Sequence, residues 1–124
     1  MELQECIDLI TQCAENNGWG VYATPDDRDG SVCFEFNTST PCGQDFWITC
    51  YLADNDPHTL VQNVYDYWQS YDPDYEATFW IGDDGHGKNG APYHIVDIVR
   101  DMEAAEKRIA ELYDALSELD FDED

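Results

Sequence analysis

Three histidines, five cysteines and a large excess of carboxylates are the residues here that could do chemistry. His58, His86 and His94 are scattered. Cys6, Cys13, Cys33, Cys42 and Cys50 are odd in number and include no C-x-x-C pair. A zinc site needs ligands closely paired along the chain, so neither a metal nor a cofactor is expected. Asp72-x-Asp74-x-Glu76 has the alternating acids that open a calcium loop, but the glycine and the closing bidentate Glu are missing at the right distances. The loop from Gly82 to Gly90 holds His86 and Lys88 on a pliant backbone that could cradle a phosphate. No Ser or Thr follows Lys88, and Asp83 and Asp84 stand at its start. There is no Gly-x-Ser-x-Gly elbow and no His-Glu-x-x-His helix. With acids everywhere, no general acid and base pair stands out. The expectation is a protein that is not an enzyme.

The carboxylates are more informative as a field. The chain has 124 residues, 28 Asp and Glu against 5 Lys and Arg, and a net charge of −23. Solubility asks for a net charge of only about 2 to 8 in a small domain. Like charges at this density oppose the compact state, although 43% hydrophobic and 14% aromatic content provides the material for a core. Direct binding of DNA, RNA or an anionic membrane is disfavoured, because all three carry the same sign of charge. A basic partner is favoured.

Between Arg28 and Lys88 there is no Lys or Arg. That interval carries Asp54, Asp56, Asp66, Asp72, Asp74, Glu76, Asp83 and Asp84, interleaved with aromatics that include Tyr71 and Tyr75. These ten residues are the candidate partner-binding set: the acids would meet Lys and Arg, and the rings would take the places of bases or sugars. A second acidic series, Asp97, Asp101, Glu111, Asp114 and Glu118, falls largely opposite an apolar helical stripe. Helical neighbours three and four apart lie about 5 to 6 Å from each other, close to the phosphate spacing of one nucleic-acid strand. A nucleic-acid mimic is therefore one reading. A non-inhibitory acidic module or adaptor for a basic protein is the other, and a merely solvated or salt-adapted surface is the plainest.

The elements that must position these residues read as α+β. Residues 2–16 form a helix with Leu3, Cys6, Ile7, Ile10, Cys13 and Ala14 on one face, stopped by Asn16-Asn17-Gly18. Trp19 to Ala23 is a short strand. Residues 31–37 and 45–53 alternate, with Val32, Phe34 and Phe36, then Phe46, Ile48, Cys50 and Leu52, facing one way. Their short connections predict a three-stranded antiparallel meander. Asp56-Pro57 starts a second helix with Val61, Val64, Tyr65, Trp68 and Tyr71 on its apolar side. Asp72 to Ile81 reads equally as a short helix or a fourth strand. A long helix spans about Pro92 to Leu119, its stripe running Ile95, Ile98, Met102, Ala105, Ile109, Leu112, Leu116 and Leu119. A repeat this long could pair two chains; the acids flanking it favour packing within one chain, as a monomer. Residues 1–119 make one domain, and Asp120 to Asp124 a frayed acidic tail. Met1 to Glu5 has no basic start or apolar run, so a cytoplasmic location with reduced thiols is expected.

From Cys42 to Leu116 the chain resembles a family of small acidic proteins of phages and other mobile elements. The shared order is the strand entry Gly43-Gln44-Asp45-Phe46, a polar helix, and the acidic segment Asp72 to Ile81 ending in Trp-Ile. A glycine-rich loop and a long closing helix follow. No reaction is implied by that family. In size and charge the chain is also similar to the DNA-mimicking inhibitors that such elements direct against defence nucleases, although it lacks the three-domain length of the larger antirestriction mimics. That likeness implies a CRISPR nuclease or a restriction enzyme as the partner, within a bacterial host. It also implies inhibition by occupying the partner's DNA site.

Overall fold

The computed structural model describes residues 2–26 and 28–121. Helix α1 (Leu3–Asn16) leads into strands β1 (Gly20–Pro25), β2 (Val32–Ser39) and β3 (Asp45–Leu52). Helices α2 (Pro57–Ser70), α3 (Pro73–Thr78) and α4 (Ile95–Ser117) follow. The strands form one antiparallel sheet in the order β1-β2-β3. The architecture is α+β, as the alternation and helical spacing predict.

Register follows burial. Val32 stands opposite Leu52, Phe34 opposite Cys50 and Phe36 opposite Ile48, so every inward residue of β2 meets an inward residue of β3. This face joins Cys6, Ile7, Ile10 and Ala14 of α1, Leu60 and Val64 of α2, and Ile109, Leu112 and Leu116 of α4 in one core. The other face of the sheet is open, with Tyr22, Trp47 and Tyr51 exposed. A smaller cluster joins Ala77 of α3 to Ile98 and Met102 of α4. Helix α4 thus spans both clusters. Its stripe is covered within the chain, except at Ile95, which is exposed.

Two helices start alike. Asp56 accepts from the His58 amide at 2.9 Å, and Asp72 accepts from the Asp74 amide at 3.0 Å, each followed by Pro at the first helical position. The segment after Asp72 is therefore helix and not a fourth strand. The long helix begins at Ile95, three residues after Pro92, because 82–94 is a folded turn. There Gly82 N–H donates to the His86 carbonyl at 2.7 Å, Gly87 N–H to Tyr93 at 3.1 Å and Lys88 N–H to Trp80 at 2.9 Å. A Cβ on Gly87 would fall 1.8 Å from the Pro92 oxygen, so only glycine fits. Those amides donate to carbonyls and so are not free to cradle a phosphate.

Three expectations are corrected. Asp101 does not join a solvent-facing acidic row; it is 2% exposed. Its position is three residues after Ile98 and four before Ala105, on the flank of the buried stripe. Its carboxylate accepts from the Thr40 hydroxyl and from the Cys42 amide at 3.0 Å, and so ties the β2–β3 turn to α4. Tyr71 is buried rather than offered to a partner. It ends α2, and its hydroxyl donates to the Met102 carbonyl at 3.2 Å. The tail is anchored further along than expected, because Phe121 is buried and meets the His58 ring edge-on at 5.6 Å. Residues 122–124 lie outside the described residues.

The five cysteines are unbonded. Cys6 and Cys50 are buried, and Cys42 is exposed. Burial pushes the Cys50 thiol up to about 12, which makes it inert as a nucleophile. No helix among the described residues is long and apolar enough to cross a membrane.

Changing Asp101→Leu removes the acceptor of two donors. It is expected to cost about 2 to 3 kcal/mol in urea unfolding, whereas Glu111→Gln on the exposed side of α4 should stay within about 0.5 kcal/mol of the parent.

Candidate partner-binding surface

The predicted acids fall into separate patches. Asp54 is exposed on the β3–α2 turn, where it and Asn55 take φ values of 57° and 53°. Asp56 is engaged twice, capping α2 and contacting the His58 ring at 2.9 Å. These bonds hold its carboxyl below the usual aspartate range. Asp66 is exposed on α2 and accepts from Gln62 at 2.9 Å. Asp56 and Asp66 share a shallow groove with Tyr51, His58 and Asn63. Asp83 and Asp84 are exposed in the loop after α3, with Asp84 accepting from the His86 amide at 3.1 Å.

The third patch is built around α3. The cap that starts this helix also fixes its facing. Asp72, Asp74 and Tyr75 are exposed, and Ala77 points down onto α4. Glu76 is half-buried, and its side chain enters a cleft of about 360 Å³. Trp47 from β3, Tyr67 from α2, and Phe79 and Trp80 just beyond α3 bring aromatic rings to this cleft. Phe46, Met102 and Asn89 complete the lining, and Asp45 adds a second carboxylate. Trp47 and Phe79 remain 57% and 55% exposed, so the walls stay open to solvent instead of closing on each other.

Negative charge in the cleft is unrelieved. No lining residue is basic. Burial, with the nearby Asp72 charge, pushes the Glu76 carboxyl above the usual glutamate range. Burial, then Glu76, then the Cys50 thiol push the Tyr67 hydroxyl up. Three of the chain's five cations are engaged elsewhere. Arg108 donates to the Gly18 carbonyl at 3.1 Å and to Thr38 at 2.9 Å, with its guanidinium 5.5 Å from the Trp19 ring centre. It thereby closes the C-terminal end of α1, where positive charge is favoured. Arg28 pairs with Asp26 at 3.3 Å, and Arg100 reaches Asp97 at 4.0 Å.

Of the ten residues predicted from sequence, the structure brings Asp74, Tyr75 and Glu76 together on one short helix, with Asp72 as its cap. It separates Asp54, Asp56 and Asp66 from that patch by element, and removes Tyr71. Sequence reasoning missed Asp45, Trp47 and Met102 as cleft residues. Trp47 carried a usable signal: it is a large ring on the solvent side of an alternating strand. Among the described residues, no three His, Cys, Asp or Glu side chains gather in a way that could hold a metal ion. The chain matches no family model, no curated protein and no solved structure.

The raised Glu76 carboxyl sets a pH dependence. The folded protein holds that proton more tightly than the unfolded chain, so ionised Glu76 destabilises the fold above its folded pKa. The loss is relieved as pH falls towards the ordinary glutamate value. Glu76→Gln is expected to raise Tm at pH 7, and the gain should shrink to nothing below about pH 4. An equal gain at both pH values would show that packing, and not charge, is responsible.

Proposed function

We propose that this chain is an acidic nucleic-acid mimic that blocks the DNA-binding site of a basic host-defence nuclease, either a CRISPR effector or a restriction enzyme. The observation that carries the reading is the net charge of −23 gathered on a folded surface. Asp54, Asp66, Asp74, Asp83 and Asp84 are exposed on the interval between Arg28 and Lys88, which holds no Lys or Arg. Carboxylates can take the bidentate partners that phosphates take, because an Arg fork fits both. In a CRISPR nuclease the arginines that read the short duplex motif are a natural target; in a restriction enzyme it is the DNA cleft. No catalytic residue, metal or cofactor is assigned, and a cytoplasmic site of action in a bacterial host is part of the proposal.

The burial of Asp101 favours a second reading. It breaks the α4 series into Asp97 at one end and Glu111, Asp114 and Glu118 at the other, so the continuous row along this helix is lost. An acidic module or adaptor for a basic protein needs no such row.

The two readings separate in one experiment. The protein is used as bait in host lysate, the captured partner is purified, and binding is measured with and without excess duplex DNA. A mimic is expected to lose its partner to the duplex, and to lose about tenfold or more in affinity as salt rises from about 0.05 to 0.2 M. Retention of the partner under excess duplex supports the adaptor. A gel shift of labelled duplex by the protein alone would overturn both.

A further inference from the structure

The cleft beside α3 combines three properties. Four aromatic residues from three parts of the chain line it: Trp47 of β3, Tyr67 of α2, and Phe79 and Trp80 after α3. Two acidic residues, the exposed Asp45 and the half-buried Glu76, share that lining, and no basic residue does. Its volume of about 360 Å³ is at the low end for small-ligand pockets, a size suited to one long side chain.

From this geometry we infer that the cleft is a socket for an arginine side chain presented by the basic partner. The guanidinium is planar, always charged and weakly hydrated. It stacks on aromatic faces while its edge donates to a carboxylate. Trp47, Phe79 and Trp80 supply the faces, and Glu76 and Asp45 the acceptors. An uncharged apolar ligand would further desolvate the half-buried Glu76 without compensation. An anionic ligand would meet both carboxylates directly. A lysine would satisfy the charge but gain less from the flat walls, since its ammonium is a compact and strongly hydrated point. The chain's own basic residues do not fill the position. Arg108 is held at the end of α1, and Lys88, although next to Asn89 in sequence, does not line the cleft.

The upward shift of Glu76 accords with this arrangement. A carboxylate held half out of water without a cation is raised, and a guanidinium placed against it would lower it again. The inference rests on the reading that the partner is basic. It goes further by naming which side chain is received, and where.

The test uses the whole chain labelled with ¹⁵N and two short peptides, acetyl-Gly-Arg-Gly-amide and the same peptide with citrulline in place of arginine. Citrulline keeps the shape and removes the charge. The indole N–H signals of Trp19, Trp47, Trp68 and Trp80 give four separate reporters. The arginine peptide is expected to move Trp47 and Trp80 saturably and to leave Trp19 and Trp68 in place. The citrulline peptide should bind about tenfold more weakly. Trp47→Thr and Glu76→Gln alter a solvent-facing strand residue and a half-buried carboxylate; each should weaken the arginine peptide about fivefold or more, with the remaining spectrum preserved. Equal binding of both peptides, or shifts that rise without saturating across the acidic surface, would overturn the socket. The outcome is independent of the mimicry test. Arginine-peptide binding together with failure of duplex to displace the captured partner would remove mimicry and leave the socket standing. Duplex displacement with Trp47 and Trp80 unmoved by the peptide would do the reverse.

Discussion

The fold is governed by a single constraint: a chain with net charge −23 must stay compact with very few cations to offset its acids. The apolar seam along α4 meets that constraint. Its Ile98 and Met102 end holds α3, and its Ile109, Leu112 and Leu116 end closes the core shared by α1, α2 and the sheet. Backbone amides take over part of the work that Lys and Arg do in ordinary proteins. Asp56 and Asp72 cap helices, and Asp26, Asp29 and Asp84 accept from amides two residues on in turns. A carboxylate in such a position is stabilised by oriented N–H groups instead of by a counter-charge. Asp101 goes further inward and makes its two bonds below the surface.

What these devices leave over is an exposed acidic surface. Asp54, Asp74 and Asp83 are exposed, and among the described residues no ion pair engages them. The cleft beside α3 concentrates the same imbalance in an aromatic setting, where each unrelieved charge is worth more than in open water. Long-range field and local socket are complementary. On the proposed reading, the field would draw a basic surface in, and the socket would give one of its side chains a defined place.

Much of this organisation is legible in the sequence, because its local signals are strong. The alternation in 31–37 and 45–53 has a single reading, and the inward faces of β2 and β3 are the ones it predicts. Asp-Pro marks the start of α2 and marks α3 just as clearly, so the ambiguity over 72–81 had its answer in a pair of residues already interpreted sixteen positions earlier. The charge of Asp101 argues for a solvent-facing row, but its offsets from Ile98 and Ala105 put it on the flank of the stripe. Tyr71 was assigned both to the apolar side of α2 and to the partner surface, and only the first is compatible with its burial. The cleft could not be read from one segment. It is assembled from β3, α2, α4, the residues around α3 and the loop that follows, and no local periodicity encodes that meeting.

On this account the folded chain carries its negative charge uncompensated. The most direct measurement is urea unfolding across a sodium chloride series from about 0.01 M to about 1 M, which shortens the Debye length from about 30 Å to about 3 Å. Uncompensated repulsion requires stability to rise steadily as salt screens it, with most of the gain at the low end of the series. Stability that stays flat or falls with added salt would mean that the acids are already balanced within the fold, and would contradict the claim.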